Sequence, residues 1–346
     1  MLKEPTNKIL LIKLSSLGDV IFNIPLASVL KKNGYKVHWL VSEKGQLVVK
    51  NNPFVDKVII APIEKWKKSN ILNNIKEFIS IIRYLRDEKY DIALDTQMRL
   101  KSLLFTKFCG AKRRIISKNA KEFSIFGANE IIPKEIFEEG CHVVKNYLKY
   151  AEYLGIDTSE FQTDLPKFEP TVSEKVVKYL SNLDKNKPIV VLAPTTTWDG
   201  KHWDKDNWKE LVSKISNKYN LVFTGVEKDR DYVEYIRQDF GISLVGKTNL
   251  LELIELFRMA DLVISLDSGS THLAWATSKP KILSIHCCTP KELYAPIGEK
   301  SKYLALGTKN CKPCHHKKCN AKEKLACTFS PSVEEVYDGL LDLLGN

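Results

Sequence analysis

The stretch KLSSLGDVIFNIP, from Lys13 to Pro25, joins two apolar segments through two serines, a glycine and an aspartate. The apolar run just before it, 9–12, is typical of a buried strand, and the segment after it is typical of a helix. Gly18 permits a tight turn, and the backbone N–H groups at the start of such a helix can receive an oxyanion. Asp19 lies at the mouth of this turn, where it serves either as a helix cap or as a general base facing a ligand.

The same alternation of strand and helix recurs along the chain and predicts an α/β protein. The predicted strands show little period-two alternation, as expected when helices cover both faces of a parallel sheet. The strands fall at 8–14, 36–41, 57–62, 90–95, 113–117, 188–194, 221–225, 242–246, 261–267 and 281–286. The helices fall at 25–33, 70–88, 99–108, 138–154, 172–183, 205–218, 229–238, 249–259 and from about 270 onward. We therefore predict two Rossmann-like domains that face each other across a cleft.

A polar, proline-containing stretch without clear periodicity separates the two series of elements. We predict an N-terminal domain over 1–154 and a linker over 155–171. The C-terminal domain is predicted over 172–330, with a cysteine-rich segment at 311–327 and a final helix over 331–346.

Composition narrows the choice of partners. The chain of 346 residues carries a net charge of +11, which favours an anionic partner such as nucleic acid, a phosphorylated substrate or an acidic membrane surface, unless the lysines simply solvate the surface. No apolar stretch reaches the roughly 20 residues needed to cross a bilayer. Glu4 precedes the first apolar run and Lys13 closes it early, so we expect no signal peptide and a cytoplasmic protein.

Two loops of the second half carry hydroxyl and charged groups. After strand 188–194, PTTTWDGKHW places three threonines before Lys201, which predicts a phosphate cradle or, alternatively, a polar loop with a solvated lysine. After strand 261–267, DSGSTHLAWAT opens a small-residue helix whose N-terminus favours a diphosphate. Gly269 would let the backbone approach a ligand closely, and Asp267 would organise the loop or contact a sugar.

Two nucleotide-binding motifs can be set aside. The sequence contains no G-x-G-x-x-G, so a dinucleotide dehydrogenase loses its main support. The stretch GISLVGKT at 241–248 matches a P-loop literally, but its four central residues form a predicted strand rather than a phosphate-binding loop. A nucleotide bound by neither motif points to a nucleotide-sugar glycosyltransferase.

Five stretches together resemble the lipopolysaccharide heptosyltransferases of glycosyltransferase family 9. The stretches are KLSSLGDVIFNIP, EKWKKS (64–69), DTQMRLKS (95–102), TTTWDGKHW (195–203) and DSGSTHLAWA (267–276). The pattern K-x-S-S-x-G-D is most similar to the heptosyltransferase I branch, which adds the first heptose to Kdo. The resemblance implies the GT-B fold. Several family arginines are lysines here, such as Lys68 and Lys121.

The resemblance implies that L-glycero-D-manno-heptose passes from ADP-heptose to the Kdo or inner-core region of lipopolysaccharide, with inversion and without a required cofactor. Asp19 would be the catalytic base, and Lys201 would stabilise the leaving ADP without a divalent metal. The implied donor-binding residues are Thr196, Thr197, Lys201, Asp229, Thr248, Asp267, Ser268, Gly269 and His272. The implied acceptor-binding residues are Ser16, Lys65, Lys68, Gln97, Arg99, Lys101 and Lys121.

The implied partners are ADP-heptose, Kdo–lipid A or inner-core lipopolysaccharide, and the acidic inner-membrane surface, with no nucleic acid. The enzyme would lie in the cytoplasm, peripherally on the cytoplasmic face of that membrane. A non-catalytic sugar-nucleotide sensor on the same fold, or a transferase for another nucleotide sugar, remains an alternative.

Four of the eight cysteines lie close together in C-x2-C-x4-C-x7-C spacing. They are Cys311, Cys314, Cys319 and Cys327. Four thiolates could bind one structural zinc or iron ion, or the four residues could remain reduced thiols. The same cluster supports a further alternative, a nucleic-acid-binding protein with a zinc knuckle.

Overall fold

The computed structural model describes residues 7–136, 140–314, 319 and 325–345. The chain divides into two compact units, Met1–Lys167 and Phe168–Asn346, and the division falls inside the predicted linker. Within the described residues each unit contains one parallel six-stranded sheet. The prediction of two α/β, Rossmann-like units is confirmed.

The first unit has the sheet order β3-β2-β1-β4-β5-β6. Its strands are β1 (Lys8–Ile12), β2 (Lys36–Ser42), β3 (Lys57–Ala61), β4 (Ile92–Asp95), β5 (Arg113–Ser117) and β6 (Glu130–Ile132). Its helices are α1 (Leu17–Ile21), α2 (Ile24–Lys32), α3 (Gln46–Val49), α4 (Ile63–Trp66), α5 (Ile71–Asp87), α6 (Leu100–Phe108) and α7 (Val143–Glu152). Short 3-10 turns cover Ser124–Gly127 and Lys134–Ile136.

Local sequence explains the helices nearest the site. The helix predicted from 25 begins at Ile24, because Pro25 is favourable in the first turn, where its missing N–H is not needed. The longest helix, α5, starts after Asn70, whose side chain accepts a hydrogen bond from Leu72 N at 2.9 Å. The helix predicted from 138 begins only at Val143, where the His142 ring accepts from Val144 N.

The second unit has the sheet order β12-β11-β10-β7-β8-β9. Its strands are β7 (Ile189–Ala193), β8 (Asn220–Phe223), β9 (Ile242–Ser243), β10 (Leu262–Leu266), β11 (Lys281–His286) and β12 (Tyr303–Gly307). Its helices are α8 (Pro170–Leu180), α9 (Lys205–Ile215), α10 (Arg230–Arg237), α11 (Leu250–Met259), α12 (Gly269–Ala276), α13 (Lys291–Tyr294) and α14 (Val333–Leu344). Further 3-10 turns cover Asp199–Lys201, Glu227–Asp229 and Ala326–Phe329.

Counted from its own first strand, each sheet has the order 3-2-1-4-5-6 of the doubly wound fold. In the first unit the order reverses between β1 and β4, and in the second between β7 and β10. Loops diverge at such a switch point and leave a crevice at the carboxyl ends of the strands, where ligands bind. Four of the five stretches selected from the sequence follow these four strands, and the fifth, EKWKKS, follows β3 at the edge of the first sheet.

The P-loop match at 241–248 does not have P-loop structure. Ile242 and Ser243 form β9, and the next helix starts at Leu250 rather than at the lysine. Gly241 is required for a different reason: its φ is +64°, and a Cβ there would lie 2.3 Å from the Leu221 carbonyl oxygen. The glycine therefore serves the turn into an edge strand.

Aromatic packing fixes the C-terminal segment to the second unit. Trp203 and Trp208 are fully buried, with ring centroids 5.1 Å apart. The Trp203 indole N–H donates to the Pro331 carbonyl at 2.7 Å, just before α14. In the part of the chain that the structure describes, no helix combines the length and apolar character that a bilayer crossing requires.

Candidate active site

Asp19 occupies the first turn of α1, directly after β1. Its Oδ2 accepts hydrogen bonds from the Ser16 amide at 3.1 Å and the Ser16 hydroxyl at 2.9 Å. Its Oδ1 accepts from the Tyr147 hydroxyl at 3.0 Å. The side chain remains 38% exposed. Asp19 therefore does form cap-type hydrogen bonds, and its carboxylate is also accessible to a ligand.

Electrostatics keep this carboxylate ionised. Burial by itself would raise the pKa of Asp19, but the Lys13 ammonium, 3.7 Å from Oδ1, and the hydrogen bonds from Ser16 and Tyr147 outweigh it. The pKa of Asp19 consequently lies below its ordinary value. A carboxylate that is ionised at neutral pH and partly exposed can accept a proton from a substrate hydroxyl.

Lys13 and Tyr147 are site residues that the sequence analysis missed. Lys13 is only 3% exposed, and its ammonium donates to the Tyr147 hydroxyl at 2.7 Å and to the Thr96 carbonyl at 3.1 Å. Burial lowers the pKa of Lys13 to about 8, although Asp19 and Asp95 oppose the shift. A lysine at the end of an apolar run was a usable signal, because a buried charge requires partners. Tyr147 gave no comparable signal.

The acceptor-binding candidates all follow the carboxyl ends of strands in the first unit. Ser16 follows β1, and Lys65 and Lys68 follow β3. Gln97, Arg99 and Lys101 follow β4, and Lys121 follows β5. Thus the fold places the whole set along one edge of the sheet.

Several of these candidates already have partners. The Gln97 Oε1 accepts from both Leu14 N and Ser15 N at 2.9 Å, so this buried amide holds the loop that leads to Asp19. Lys101 donates to the Ser15 hydroxyl. Gln97 and Lys101 therefore contribute to the shape of the loop itself.

The remaining cations of the set divide into paired and unpaired groups. Lys65 pairs with Glu77, and Arg99 pairs with Glu122 at 2.8 Å. Lys68 and Lys121 are exposed and form no ion pair with any residue that the structure describes. Exposed ion pairs contribute little to stability, so an anionic ligand can replace them.

In the second unit Lys201 ends the 3-10 turn that follows β7. Its Nζ lies 2.7 Å from Asp267 Oδ2 and 4.7 Å from the centre of the Trp198 ring. Asp267 follows β10 and is almost fully buried. Burial would raise the pKa of Asp267, but His272, Lys201 and the His286 ring lower it to about 2. Asp267 therefore acts as a fixed carboxylate that orients Lys201.

The N-terminus of α12 lies beside this ion pair. Ser268 occupies the cap position without making a side-chain cap, and its buried hydroxyl has no hydrogen-bond partner among the described residues. A Cβ at Gly269, the first helical residue, would meet nothing within 4 Å. Free helix N–H groups, an unpaired hydroxyl and open space together suit a phosphate oxygen.

Other donor-binding candidates lie close to this group or farther along the edge. Asp229 Oδ2 accepts from the Thr195 hydroxyl at 2.9 Å and from Val226 N at 3.2 Å, so Asp229 organises the loops after β7 and β8. The Thr196 amide donates to His202 Nε2 at 3.4 Å. Thr197 is exposed in the same loop, and Thr248 follows β9, two strands from β7.

His286 was missed by the sequence analysis. It ends β11 beside β10 and is completely buried, with its Nε2 3.1 Å from the Ser284 hydroxyl. Burial lowers the pKa of His286 to about 4 against the attraction of Asp267, so its ring is neutral at physiological pH. A histidine that closes an apolar strand is too common a pattern to identify a site from sequence.

The four clustered cysteines lie near one another and near the Lys201 loop. Cys311, Cys314 and Cys319 are close enough to Cys327 that their charges, after the larger effect of burial, raise its pKa to about 11. A set of four thiols fits zinc or iron chemically. Across 7–136, 140–314, 319 and 325–345, however, no three His, Cys, Asp or Glu side chains are arranged to hold an ion. Residues 315–318 and 320–324 lie outside the described residues.

One member of the cluster, Cys327, and a fifth cysteine outside it, Cys288, pack against the backbone next to Lys201. The Cys288 amide donates to the Gly200 carbonyl at 3.1 Å, and the Cys327 Sγ lies 3.7 Å from that oxygen. A Cβ at Gly200 would lie 3.2 Å from Cys288 Sγ. Changes at these thiols therefore act on the loop that carries Lys201.

If the four thiols bind one metal ion, purified protein should contain about one equivalent of zinc or iron, measured by plasma mass spectrometry. Cys314→Ser should lose that metal and lower the melting temperature, because metal binding is coupled to folding. It should also weaken ADP binding, since the cluster supports the Lys201 loop. Cys141→Ser, at a partly buried cysteine of the first unit, is the control. If the wild-type protein contains no metal and Cys314→Ser has an unchanged melting curve, the four cysteines are ordinary reduced thiols.

Comparisons with known proteins agree with this geometry. The sequence matches the family model for glycosyltransferase family 9 (heptosyltransferase) over residues 78–325, more than half of the chain. Lipopolysaccharide heptosyltransferase 1 of Campylobacter coli is 27% identical, over 98% of this chain and 99% of the relative.

Solved structures show the same fold. A glycosyl transferase family 9 structure from Veillonella parvula superposes with a TM-score of 0.83 at 20% identity, covering 100% of this chain and 99% of that one. The E. coli heptosyltransferase WaaC with ADP-2-deoxy-2-fluoro heptose gives a TM-score of 0.71 at 20% identity, covering 96% and 98%.

Two Rossmann-like units, each with charged and polar loops at the carboxyl ends of its strands, give the chain the architecture of a glycosyltransferase of the GT-B class. The family match makes this more specific. The chain belongs to glycosyltransferase family 9, the heptosyltransferases. The predicted family and GT-B fold are confirmed, and the predicted cleft between the domains and the roles of individual site residues stay predictions.

Proposed function

We propose that this chain transfers L-glycero-D-manno-heptose from ADP-heptose to the Kdo or inner-core region of lipopolysaccharide, with inversion at the anomeric carbon. The observation that carries the proposal is the ionised, partly exposed Asp19 carboxylate held by Ser16, Tyr147 and Lys13. The name of the Campylobacter coli relative and the sugar-nucleotide analogue in the E. coli structure support the choice of substrates.

Asp19 acts on the acceptor. Its carboxylate removes the proton from an acceptor hydroxyl as that oxygen attacks the anomeric carbon of the donor. The new glycosidic bond forms while the bond from that carbon to the diphosphate oxygen breaks, so the configuration inverts without a covalent enzyme intermediate. Lys13 and Tyr147 hold the carboxylate in its ionised state, so it is ready to accept the proton.

Lys201 and the start of α12 act on the leaving group. As ADP departs, negative charge grows on its diphosphate, and the Lys201 ammonium together with the N–H groups near Gly269 stabilises that charge. Asp267 holds Lys201 in position, and the Ser268 hydroxyl, which has no partner among the described residues, donates a further hydrogen bond. Asp229 and Thr248 would contact the nucleoside of the donor. The exposed Lys68 and Lys121 would contact the acidic acceptor.

The acceptor determines where the enzyme works. Because Kdo–lipid A is anchored in a membrane, we place the protein in the cytoplasm, peripherally on the cytoplasmic face of the inner membrane. The charge of +11 favours such an acidic surface.

The test is release of ADP and formation of a heptosylated product, followed by mass spectrometry, with ADP-heptose and Kdo–lipid A as substrates. ADP should be released only when both substrates are present. Donor alone and UDP-glucose with the same acceptor serve as controls.

Each rival function gives a different result. ADP-heptose binding in calorimetry without turnover on any Kdo-containing acceptor would identify a sensor. Turnover with UDP-glucose but not ADP-heptose would identify a transferase of another nucleotide sugar. Binding of nucleic acid without binding of ADP-heptose would support the nucleic-acid-binding protein with a zinc knuckle.

A further inference from the structure

Exposed apolar side chains are concentrated on one part of the first unit. Of the eighteen large hydrophobic residues that are exposed among the described residues, ten lie on α5, α6 and the turn Ser124–Gly127 with its preceding residue. One of the ten, Tyr84, donates its hydroxyl to Glu88 at 2.9 Å. We call the other nine the apolar patch: Ile71, Leu72, Ile75, Ile79, Leu100, Leu104, Phe108, Phe123 and Phe126. Phe123 is 75% exposed and Phe126 68%, so neither ring is buried by its own chain.

The three elements of the patch form one continuous layer. The rings of Phe78 on α5 and Phe105 on α6 lie 5.1 Å apart and pack into the same core, under β1 and β4. The turn packs against α6 so closely that a Cβ at Gly127 would lie 2.7 Å from the Leu103 carbonyl oxygen. Residues on the outer side of this layer therefore belong to one surface.

Helical spacing separates the outer side from the core side. On α6, Leu100, Leu104 and Phe108 are exposed at every fourth position, whereas Phe105 and Ser102 are buried. On α5 one outer stripe alternates apolar and basic side chains, in the order Leu72, Lys76, Ile79, Arg83. The apolar patch is thus interleaved with cations.

Most of the protein's net positive charge belongs to this segment. Residues 63–127 contain fifteen Lys and Arg against seven Asp and Glu, a net charge of +8 out of +11 for the chain. Glu77 and Glu122 in this segment are engaged by Lys65 and Arg99. The exposed cations without an ion pair to a described residue include Lys67, Lys68, Lys76, Arg83, Lys107 and Lys121.

We propose that the apolar patch and the cations around it bind an anionic lipid surface. Aliphatic and aromatic side chains enter the boundary between headgroups and acyl chains, while lysines pair with anionic headgroups. Six of the nine patch residues are Ile or Leu, which do not stack on nucleic-acid bases, so the patch as a whole fits acyl chains better than a single strand of nucleic acid. So dense a positive charge is unusual in the centre of a protein–protein interface. The proposed acceptor cations Lys68, Lys101 and Lys121 belong to the same segment of the chain.

This lipid-binding surface rests on the proposed function in one respect only: the lipid-linked acceptor is the reason why the protein would contact a membrane. The test uses the full-length protein and vesicles of phosphatidylethanolamine with phosphatidylglycerol, without donor or acceptor. The protein should cosediment with these vesicles and dissociate from them at high salt. It should not bind vesicles of phosphatidylcholine alone. If the protein binds vesicles but releases no ADP in the activity assay, the proposal of a lipid-binding surface stands and the proposed enzyme activity is wrong.

Two double variants test the patch itself. Leu104→Gln with Phe108→Gln should reduce vesicle binding about tenfold or more, since two exposed apolar side chains no longer leave water. Lys76→Glu with Lys107→Glu should reduce it by at least as much and abolish most of the salt dependence. Both variants should keep the wild-type melting temperature, because all four side chains are exposed.

Matched controls come from the second unit. Val177 and Val226 are 55% and 56% exposed, so Val177→Gln with Val226→Gln removes comparable apolar surface and should leave binding unchanged. Lys185→Glu with Lys279→Glu is the corresponding charge control. Equal vesicle binding by patch and control variants would overturn the proposal. So would sedimentation velocity showing that the patch variants only convert a dimer into a monomer, which would assign the patch to a second copy.

Discussion

Asp19→Asn is expected to lower turnover about 100-fold or more at saturating substrates, the usual scale for loss of a general base. The amide is nearly the same size as the carboxylate and can still accept a hydrogen bond from the Ser16 amide through its remaining carbonyl oxygen. Folding and ADP affinity should therefore change little, while the acceptor hydroxyl keeps its proton. Steady-state kinetics, calorimetry with ADP and a melting curve measure the three quantities.

The cap and the base can be separated with this variant. A residue that only caps α1 would show its loss as a lower melting temperature, with turnover near the wild-type value. Asp164→Asn, at an exposed aspartate of the same unit, controls for the loss of one negative charge. Near-normal turnover of Asp19→Asn would reduce Asp19 to a helix cap.

The pKa of Asp19 sets the pH dependence of this step. Its pKa is held below the ordinary value, so the base stays ionised from neutral pH down to at least the ordinary aspartate range. The wild-type kcat/KM should therefore show no loss from Asp19 protonation between about pH 5 and 7. Tyr147→Phe removes one donor to the carboxylate and should move the acidic limb of the profile upward.

Lys201→Ala is expected to weaken ADP binding by about 1.5–3 kcal/mol, the range for hydrogen bonds to charged groups. Turnover should also fall, because the charge on the departing diphosphate loses a fixed cation. Calorimetry with ADP gives the first effect and single-turnover kinetics the second. Lys185→Ala, at an exposed lysine of the same unit, is the charge control, and unchanged ADP affinity in Lys201→Ala would remove the lysine from the site.

The ion pair complicates Lys201→Ala in a way that can be measured. Asp267 would remain buried without the cation at 2.7 Å, so the variant should also lose stability. In the wild-type protein the folded pKa of Asp267, about 2, is lower than its ordinary value of 3.8. The associated stability is therefore complete above about pH 4 and is lost as the pH falls toward 2. Lys201→Ala with Asp267→Asn should recover the melting temperature at neutral pH but not the affinity for ADP.

The sequence predicted most of the fold because most strands are apolar runs without alternation. The exceptions are instructive. β6 has only three residues and so produces no long apolar run. β12, Tyr303–Gly307, is a half-buried edge strand with an apolar run of ordinary length, which the sequence analysis did not assign. The order within each sheet follows from the general rules for parallel α/β units rather than from any residue.

The candidate site was predictable only as far as its loops. Turn chemistry marks Asp19, Lys201 and the start of α12, since each follows a recognisable strand. Partnerships across the chain are not encoded locally: Tyr147 reaches Asp19 from a helix 128 residues away. Lys201 likewise forms an ion pair with the buried Asp267. Only the pairing of β7 with β10 brings these two residues together.

The repeated strand order has a consequence for evolution and for engineering. Each unit has its own hydrophobic core and its own sheet edge, with the proposed acceptor residues in one and the proposed donor residues in the other. Selection for a new sugar acceptor can therefore change the loops of the first unit while the nucleotide loops of the second stay fixed. The junction between Lys167 and Phe168 is accordingly the natural crossover point for chimeras that exchange acceptor preference between relatives.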